Sequence, residues 1–248
     1  MKFSLKSSIT YFYSFFIHNS DNNGFRVLAY HSITDSKSYK DMWSVDKELF
    51  KDHLSYLQEK KIEVYNIDVL KNKIPDSGIA ITFDDGYRNN LEIAAPILNE
   101  FEMPFSVFVV VDNLHESKKE YLDKTLLKEL SDNPLASIGS HSKTHAKLTE
   151  CSPEQIRNEV RDSKSYLEDL LGKEVSAFSY PHGKFNSFIR DEVMKAGYFL
   201  GFTSHYDLNH LDQDRLTLNR NEIWNSDNLN NFKKKIDGHW DWLKYRNL

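Results

Sequence analysis

The chain has 248 residues, a formal net charge of −5 at pH 7, 40% hydrophobic residues and 28% charged residues. These values are ordinary for a globular protein, and the length fits one large α/β domain or two small ones. The negative charge and a pI near 6.1 argue against nucleic-acid binding through a basic surface. A single cysteine, Cys151, excludes an intrachain disulfide.

Residues 1–24 differ from the rest of the chain, and we expect them to form an N-terminal helical extension. The start is basic, and residues 9–17 are rich in aromatic side chains but too few to span a bilayer. No cleavage site of the signal-peptide type follows. We expect this helix to pack on the domain; the alternative is peripheral membrane contact through residues 1–18. The expected location is the cytoplasm or the cytoplasmic membrane surface.

Strand and helix signals then alternate along residues 25–248, which we expect to form one domain. Strands are predicted over residues 26–30, 62–67, 79–83, 105–111, 136–140, 175–180 and 198–203, with an extended stretch over 215–223. Helices are predicted over residues 46–61, 91–101, 120–130, 153–171, 187–196 and 227–244. Repeated βα units predict a parallel sheet or barrel covered by helices. Its chemistry is expected in the loops that follow the strands.

Two adjacent carboxylates follow the apolar strand predicted over residues 79–83. They are Asp84 and Asp85, in the sequence TFDDG of residues 82–86. Adjacent acids repel each other unless positive charge lies beside them, and a divalent cation is the usual solution. Taken alone, such a pair is more often a solvated loop or a helix N-cap.

Two histidines follow the strand predicted over residues 136–140. His141 and His145 stand four residues apart, as in zinc motifs that place two imidazoles on one helical face. No Glu lies between them, so a general base must come from elsewhere, and Asp84 or Asp85 is the obvious donor. Both clusters begin loops at the same end of a parallel sheet. Together they offer a nitrogen, nitrogen and oxygen ligand set that suits Zn²⁺ with an open water position.

A third block, FSYPHGKFN at residues 178–186, completes a resemblance to a known family. With TFDDG and HSKTH, the chain resembles polysaccharide deacetylases of the NodB-homology type, carbohydrate esterase family 4, over roughly residues 25–221. The three blocks stand in the order and spacing of that family. The resemblance implies an α/β fold, a distorted (β/α) barrel of about seven strands.

The resemblance also implies roles for individual residues. Asp84 would be the catalytic base, and Asp85, His141 and His145 would hold the divalent metal, for which Zn²⁺ is the first expectation. A backbone N–H near Tyr180 would meet the oxyanion. The residues that follow it, Pro181 and Gly183, belong to the same substrate-side stretch.

Two departures from the family pattern matter for the chemistry. Ser179 stands where many members have an arginine that steadies the catalytic Asp, and Arg220 is a candidate substitute if residues 215–223 form a barrel strand. There is no clear late L-x-H motif to supply the general acid. Some branches place that histidine after an early V-L-x-Y-H strand, and His31 has this position. The alternative for His31 is a histidine that ends a buried strand and hydrogen-bonds to backbone.

The activity implied by the resemblance is metal-dependent removal of N-acetyl groups from amino sugars, with release of acetate. The expected partner is an N-acetylated glycan or a sugar-lipid precursor. Two alternatives remain open: an O-acetyl or non-sugar amide deacylase, and a non-catalytic glycan-binding module on the same fold. His182, His205, His210 and His239 are interpreted as bystanders, with a groove-lining role open to His182.

Overall fold

The computed structural model describes residues 24–35, 41–115 and 117–247. The predicted N-terminal helical extension lies outside these ranges except for Gly24, so it stays a prediction. No helix within the described ranges combines the length and the apolar character needed to cross a membrane.

A seven-stranded parallel sheet is the centre of the domain. The strands of the described chain are β1 (Arg26–Tyr30), β2 (Ser32–Thr34), β3 (Ser44–Asp46), β4 (Ile79–Phe83), β5 (Phe105–Val109), β6 (Ala136–Ser140), β7 (Ala177–Ser179), β8 (Leu200–Phe202) and β9 (Asn221–Glu222). Their order in the sheet is β8-β7-β6-β5-β4-β1-β9, and β2 pairs separately with β3. Every residue of β1, β4 and β5 is buried, as expected for parallel strands covered on both faces.

The α-helices of the described chain connect these strands. They are α1 (Lys47–Glu59), α2 (Ala95–Glu100), α3 (Lys124–Ser131), α4 (Pro153–Leu171), α5 (Ser187–Lys195) and α6 (Leu229–Ile236). The ends of α4 show why the sequence predicted it well. Ser152 and Gln155 form a reciprocal capping box at its start, and Gly172 ends it with a φ of 63°.

The apolar core divides between the two faces of the sheet. Alternate strand residues belong to different clusters, since successive side chains point to opposite faces. Leu28 and Ile81 pack in the larger cluster with the covering helices. Val27 and Ala80 pack in a second cluster with Leu218. The sheet therefore encloses an apolar interior, as in a barrel.

Residues 215–222 connect the two edges of this curled sheet. The Leu218 N–H donates to Gly201 O at 2.7 Å, and the Thr203 N–H donates to Leu218 O at 2.8 Å, so this stretch pairs with the β8 edge. A few residues later, β9 pairs with β1 in parallel, with Asn221 opposite Leu28. The predicted (β/α) barrel of about seven strands is confirmed.

Two predicted elements differ from the structure by more than their bounds. The strand expected over residues 62–67 is reduced to an isolated bridge between Val64 and Ile79. The Asn66 side chain accepts from the Asp68 N–H and starts a 3₁₀ helix, Ile67–Lys71, instead. The helix expected over residues 227–244 is also interrupted after α6, since Gly238 has a φ of 79°, and a 3₁₀ helix follows over Asp241–Asn247.

Candidate active site

The predicted catalytic and metal-binding residues meet in one cleft at the carboxyl ends of the parallel strands. The cleft has a volume of about 470 Å³. It is lined by His31, Trp43, Asp84, Asp85, Tyr87, His141, His145, His182, Gly183, Ser204 and Glu222. Most of them follow the ends of β1, β4, β6, β7 and β8 or lie on β9, which is where a parallel α/β barrel carries its chemistry. Trp43 comes from the segment just before β3.

Asp84 is held by a buried arginine. The Arg220 Nη1 donates to Asp84 Oδ1 at 2.8 Å, and Nη2 donates to Oδ2 at 2.7 Å. The Ser179 hydroxyl also donates to Asp84 Oδ2, at 3.2 Å. Burial alone would raise the pKa of Asp84, but the charge and hydrogen bonds of the Arg220 guanidinium, together with His141 and His31, hold that pKa well below its usual range. Asp84 is therefore an oriented, fully ionised carboxylate.

Four non-glycine residues at the site have positive φ values, a backbone strain that the sequence does not predict. Asp85, Ser142, His145 and His182 have φ values of 71°, 65°, 62° and 58°, in the left-handed region that non-glycine residues rarely adopt. Each such residue costs on the order of 1 kcal/mol and persists where its surroundings hold it, most often at functional sites. These turns aim the side chains of Asp85 and His145 into the cleft.

The tautomer of His141 follows from its hydrogen bond. Its Nδ1 lies 2.8 Å from the carbonyl oxygen of Ser179, and because a carbonyl only accepts, Nδ1 carries the hydrogen. Burial lowers the pKa of His141 to about 3, so the ring is neutral near pH 7. In this tautomer Nε2 carries a lone pair and lies 3.2 Å from His145 Nε2 at the cleft, the arrangement of a metal-ligating histidine with a fixed outer partner.

Three side chains converge as a possible metal site. The Nε2 atoms of His141 and His145 are 3.2 Å apart, and they lie 3.7 Å and 3.6 Å from Asp85 Oδ1. Ligands at about 2.0–2.1 Å from a tetrahedral Zn²⁺ lie roughly 3.3 Å from one another, so these spacings fit. Burial, then the charge of Asp84, raises the pKa of Asp85 to about 7, a cost that a bound cation would remove.

The histidines converge through a loop and not along one helical face. Glu159, on α4, accepts from the N–H groups of Lys143 and Thr144 at 3.0 Å and 2.9 Å, and from the Thr144 hydroxyl at 2.7 Å. The Ser142 hydroxyl accepts from the His145 N–H at 3.1 Å. The role of Glu159 is not predictable from the sequence, because a Glu on an amphipathic helix gives no indication of which groups its carboxylate will contact. Glu159 fixes the loop between the two imidazoles.

His31 lies at the same cleft as Asp84, more than fifty residues apart in sequence. Its ring contacts Trp43 with centroids 4.4 Å apart, and its Nδ1 is buried with no hydrogen-bond partner among the described residues. The alternative of a ring bonded to backbone is therefore not supported for Nδ1. Burial lowers the pKa of His31 to about 4, although the charge of Asp84 raises it. The ring is neutral near pH 7 in the free protein.

In the stretch predicted to contact the oxyanion, residues 180–183, one backbone N–H has no acceptor among the described residues. The Tyr180 N–H donates to Phe202 O at 2.9 Å, the Gly183 N–H donates to Tyr180 O at 2.8 Å, and Pro181 has no N–H. The Tyr180 hydroxyl donates to Leu216 O, away from the cleft. Within the described chain the His182 N–H has no acceptor, so it is the amide of this stretch available to an oxyanion. Gly183 lines the cleft beside it.

Several residues occupy places that the sequence analysis did not assign. His182, interpreted as a bystander, packs against His145 with ring centroids 4.6 Å apart. Trp43 and Glu222 line the cleft without having been predicted. Arg220, predicted as a substitute for the missing arginine, has its guanidinium on Asp84 and is fully buried.

Comparisons with known proteins identify the family of this chain. The sequence model described as polysaccharide deacetylase matches residues 71–200, just over half of the chain. YxkH of Bacillus subtilis, whose name places it among polysaccharide deacetylases, is 28% identical over 200 residues, 78% of this chain and 69% of that protein. A poly-β-1,6-N-acetyl-D-glucosamine N-deacetylase of Staphylococcus aureus is 25% identical over 207 residues, covering 77% of this chain and 69% of that one.

Solved structures share the fold. The Streptococcus pyogenes deacetylase PplD, in complex with acetate, has a TM-score of 0.78 at 22% identity and covers 86% of this chain and 98% of that chain. IcaB from Ammonifex degensii has a TM-score of 0.76 at 19% identity, with 88% and 97% covered. At these identities the similarity to solved structures shows only the fold. The family is shown by the sequence model that matches residues 71–200. The chain belongs to the polysaccharide deacetylase family.

Proposed function

We propose that the protein is a metal-dependent hydrolase that removes N-acetyl groups from the amino sugars of a glycan and releases acetate. The observation that supports this most strongly is the combination of two units in one cleft. One is the Asp85, His141 and His145 ligand set, with its donor atoms 3.2–3.7 Å apart. The other is an ionised Asp84 held by Arg220.

Asp85, His141 and His145 would hold the cation, most directly Zn²⁺. Such an ion lowers the pKa of a water molecule and polarises a carbonyl group. His141 is suited to bind the cation, because its Nδ1–H donates to Ser179 O and its Nε2 is unprotonated. Glu159 keeps the loop that carries His145 in place.

The other residues have separate roles in the proposal. Asp84 takes the proton of the attacking water, with its orientation fixed by Arg220. The His182 N–H donates to the oxygen that becomes negative as the carbonyl carbon turns tetrahedral. His31 protonates the amine nitrogen as the C–N bond breaks. Because His31 is neutral in the free protein, it must first gain a proton, and the negative charge of Asp84 is the feature that favours this.

The substrate class is proposed from relatives of this chain. The Staphylococcus aureus relatives are named for poly-β-1,6-N-acetyl-D-glucosamine, so an N-acetylglucosamine glycan is the first candidate. An O-acetyl esterase would use the same parts, although an alcohol leaves more easily than an amine. A purely glycan-binding module fits less well, since such a role has no need of an Asp84–Arg220 pair beside a ligand set.

Acetate release tests this proposal. The purified protein is incubated with β-1,4- and β-1,6-linked N-acetylglucosamine oligomers, an O-acetylated glycan and a non-sugar acetamide, before and after chelation and after reloading with Zn²⁺. We expect acetate from an N-acetylglucosamine oligomer, loss after chelation and recovery with the cation. Release from no N-acetylated glycan by the reloaded protein, or full activity after exhaustive chelation, would contradict the proposal.

A further inference from the structure

A second cleft continues from the active-site cleft along the surface. It has a volume of about 520 Å³, and both clefts are lined by His182, Gly183, Ser204 and Glu222. The second cleft extends to Phe185 and Tyr206. The partly exposed Phe185 ring suits the apolar face of a sugar. A sugar unit in the second cleft would adjoin a unit held at the active site.

Glu222 lies at the junction of the two clefts. It is on β9, two residues after Arg220, and its side chain is largely buried. The Ser204 hydroxyl hydrogen-bonds to its carboxylate, yet burial raises the pKa of Glu222 above its usual value. No Lys, Arg or His nitrogen in the described part of the chain lies within 4.0 Å of that carboxylate. A largely buried anion with one hydroxyl partner favours a cationic ligand.

The cationic side chains near Glu222 hydrogen-bond to groups other than its carboxylate or are exposed to solvent. The guanidinium of Arg220 is bound to Asp84. Lys235 Nζ donates to the backbone oxygen of Glu222 and to the carboxylate of Asp227. Lys184 lines the second cleft but is itself exposed to solvent.

We propose that the second cleft binds the sugar next to the one that reacts, and that Glu222 selects a neighbour carrying a free ammonium group. This inference rests on the proposed function. Hydrolysis of one N-acetyl group along a polymer leaves such an amino sugar beside the next substrate unit. The ammonium group donates to the Glu222 carboxylate, whereas a neutral acetamide at the same place leaves that carboxylate without a cation. The preferred substrate is therefore a partly deacetylated glycan.

The test compares two disaccharides that share linkage and reacting unit. One is fully N-acetylated, and the other carries a free amine on the neighbouring unit. We expect the wild-type, metal-loaded protein to show a kcat/KM at least about tenfold higher for the mixed disaccharide, the scale of a hydrogen bond to a charged group. In Glu222→Gln, which keeps the shape and the Ser204 partner, that ratio should fall toward one.

Glu150→Gln is the matched control, because it removes one negative charge from an exposed residue next to Thr149 of the second cleft. Its ratio should equal that of the wild type. Equal kcat/KM for both disaccharides in the wild-type protein overturns the inference without any variant. An unchanged ratio in Glu222→Gln also overturns it. Absence of acetate release from every N-acetylated glycan would instead contradict the proposed function, so the two failures are distinguishable.

Discussion

The Arg220 guanidinium binds both carboxylate oxygens of Asp84, although 136 residues separate the two in sequence. Arg220 also donates to Ser179 Oγ and to Thr203 O, so its orientation is fixed from several strands. The family pattern described under the sequence analysis expects an arginine at the position of Ser179. In this chain the Ser179 hydroxyl and Arg220, from the segment that closes the barrel, both donate to the Asp84 carboxylate.

Replacing Arg220 by lysine should lower activity by roughly 10²-fold with the metal retained. Lysine keeps the charge but cannot donate to both Asp84 oxygens in one plane, so the carboxylate loses its fixed orientation. The measurement is kcat/KM for an N-acetylated oligomer, with metal content determined on the same sample.

Arg26→Lys is the matched control for this variant. Arg26 makes the other buried arginine pair, donating to Asp241 at 2.9 Å and 3.1 Å, and it begins β1 at the end of the strand away from the cleft. Both variants should lower the free energy of unfolding, but only Arg220→Lys should lower kcat/KM. Equal activity losses in the two variants would mean that Arg220 acts through stability alone.

Asp84→Asn should give a folded, metal-loaded protein whose activity is reduced by roughly 10² or more, the scale of losing a general base. The change also leaves the Arg220 charge without its counter-ion, so the free energy of unfolding should fall by about 3 kcal/mol. Elemental analysis, kcat and urea unfolding measure the three quantities. Asp241→Asn is the control for the stability loss; metal loss in Asp84→Asn would show that the two adjacent aspartates have each other's roles.

The ligand prediction is tested by His141→Ala and Asp85→Ala. Three protein ligands leave little redundancy, so either change should abolish stoichiometric binding of Zn²⁺ or a similar cation. Elemental analysis after gel filtration is the measurement, and His210→Ala, at an exposed histidine outside the cleft, is the control. Wild-type metal content in either ligand variant would refute the site.

The parts predictable from sequence are those with a local signal. The buried strand 79–83 and the carboxylates after it form one continuous pattern, and so do strand 136–140 and its histidines. Arg220 is a candidate only because this chain has Ser179 where the family pattern has an arginine. Its contact with Asp84 depends on how residues 215–222 meet both edges of the sheet. The free amide of His182 depends on a backbone φ of 58°, which nothing in its side chain specifies.

Acid should destabilise the protein through His53, which is fully buried in α1. The Tyr30 hydroxyl donates to its Nδ1 at 3.1 Å, its Nε2 donates to Asp227 O at 2.8 Å, and its ring stacks on Phe232. Burial lowers the pKa of His53 to about 3, against about 6.5 in the unfolded chain. As the pH falls below about 6.5, His53 is protonated in the unfolded state but not in the folded state, so the free energy of unfolding decreases.

The expected loss from His53 approaches about 1.4 kcal/mol per pH unit between pH 6 and pH 4. Urea unfolding of the metal-free protein at several pH values measures this slope. His53→Gln should be less stable than wild type at pH 7 but have a shallower slope. His210→Gln, at an exposed histidine, should keep the wild-type slope, and an unchanged slope in His53→Gln would contradict the prediction.

His31→Ala should separate amide from ester hydrolysis. An amine leaves only when it is protonated, whereas the phenolate of an aryl acetate leaves without a proton, so loss of a general acid should affect the amide far more. We expect N-deacetylation to fall by roughly 10² or more, and activity on the aryl acetate to stay within about tenfold of wild type. Both rates are measured on protein of known metal content, with His210→Ala as the control. Equal losses on the two substrates would show that His31 orients the site, through its contact with Trp43 and its place beside Asp84, and gives no proton to the leaving group.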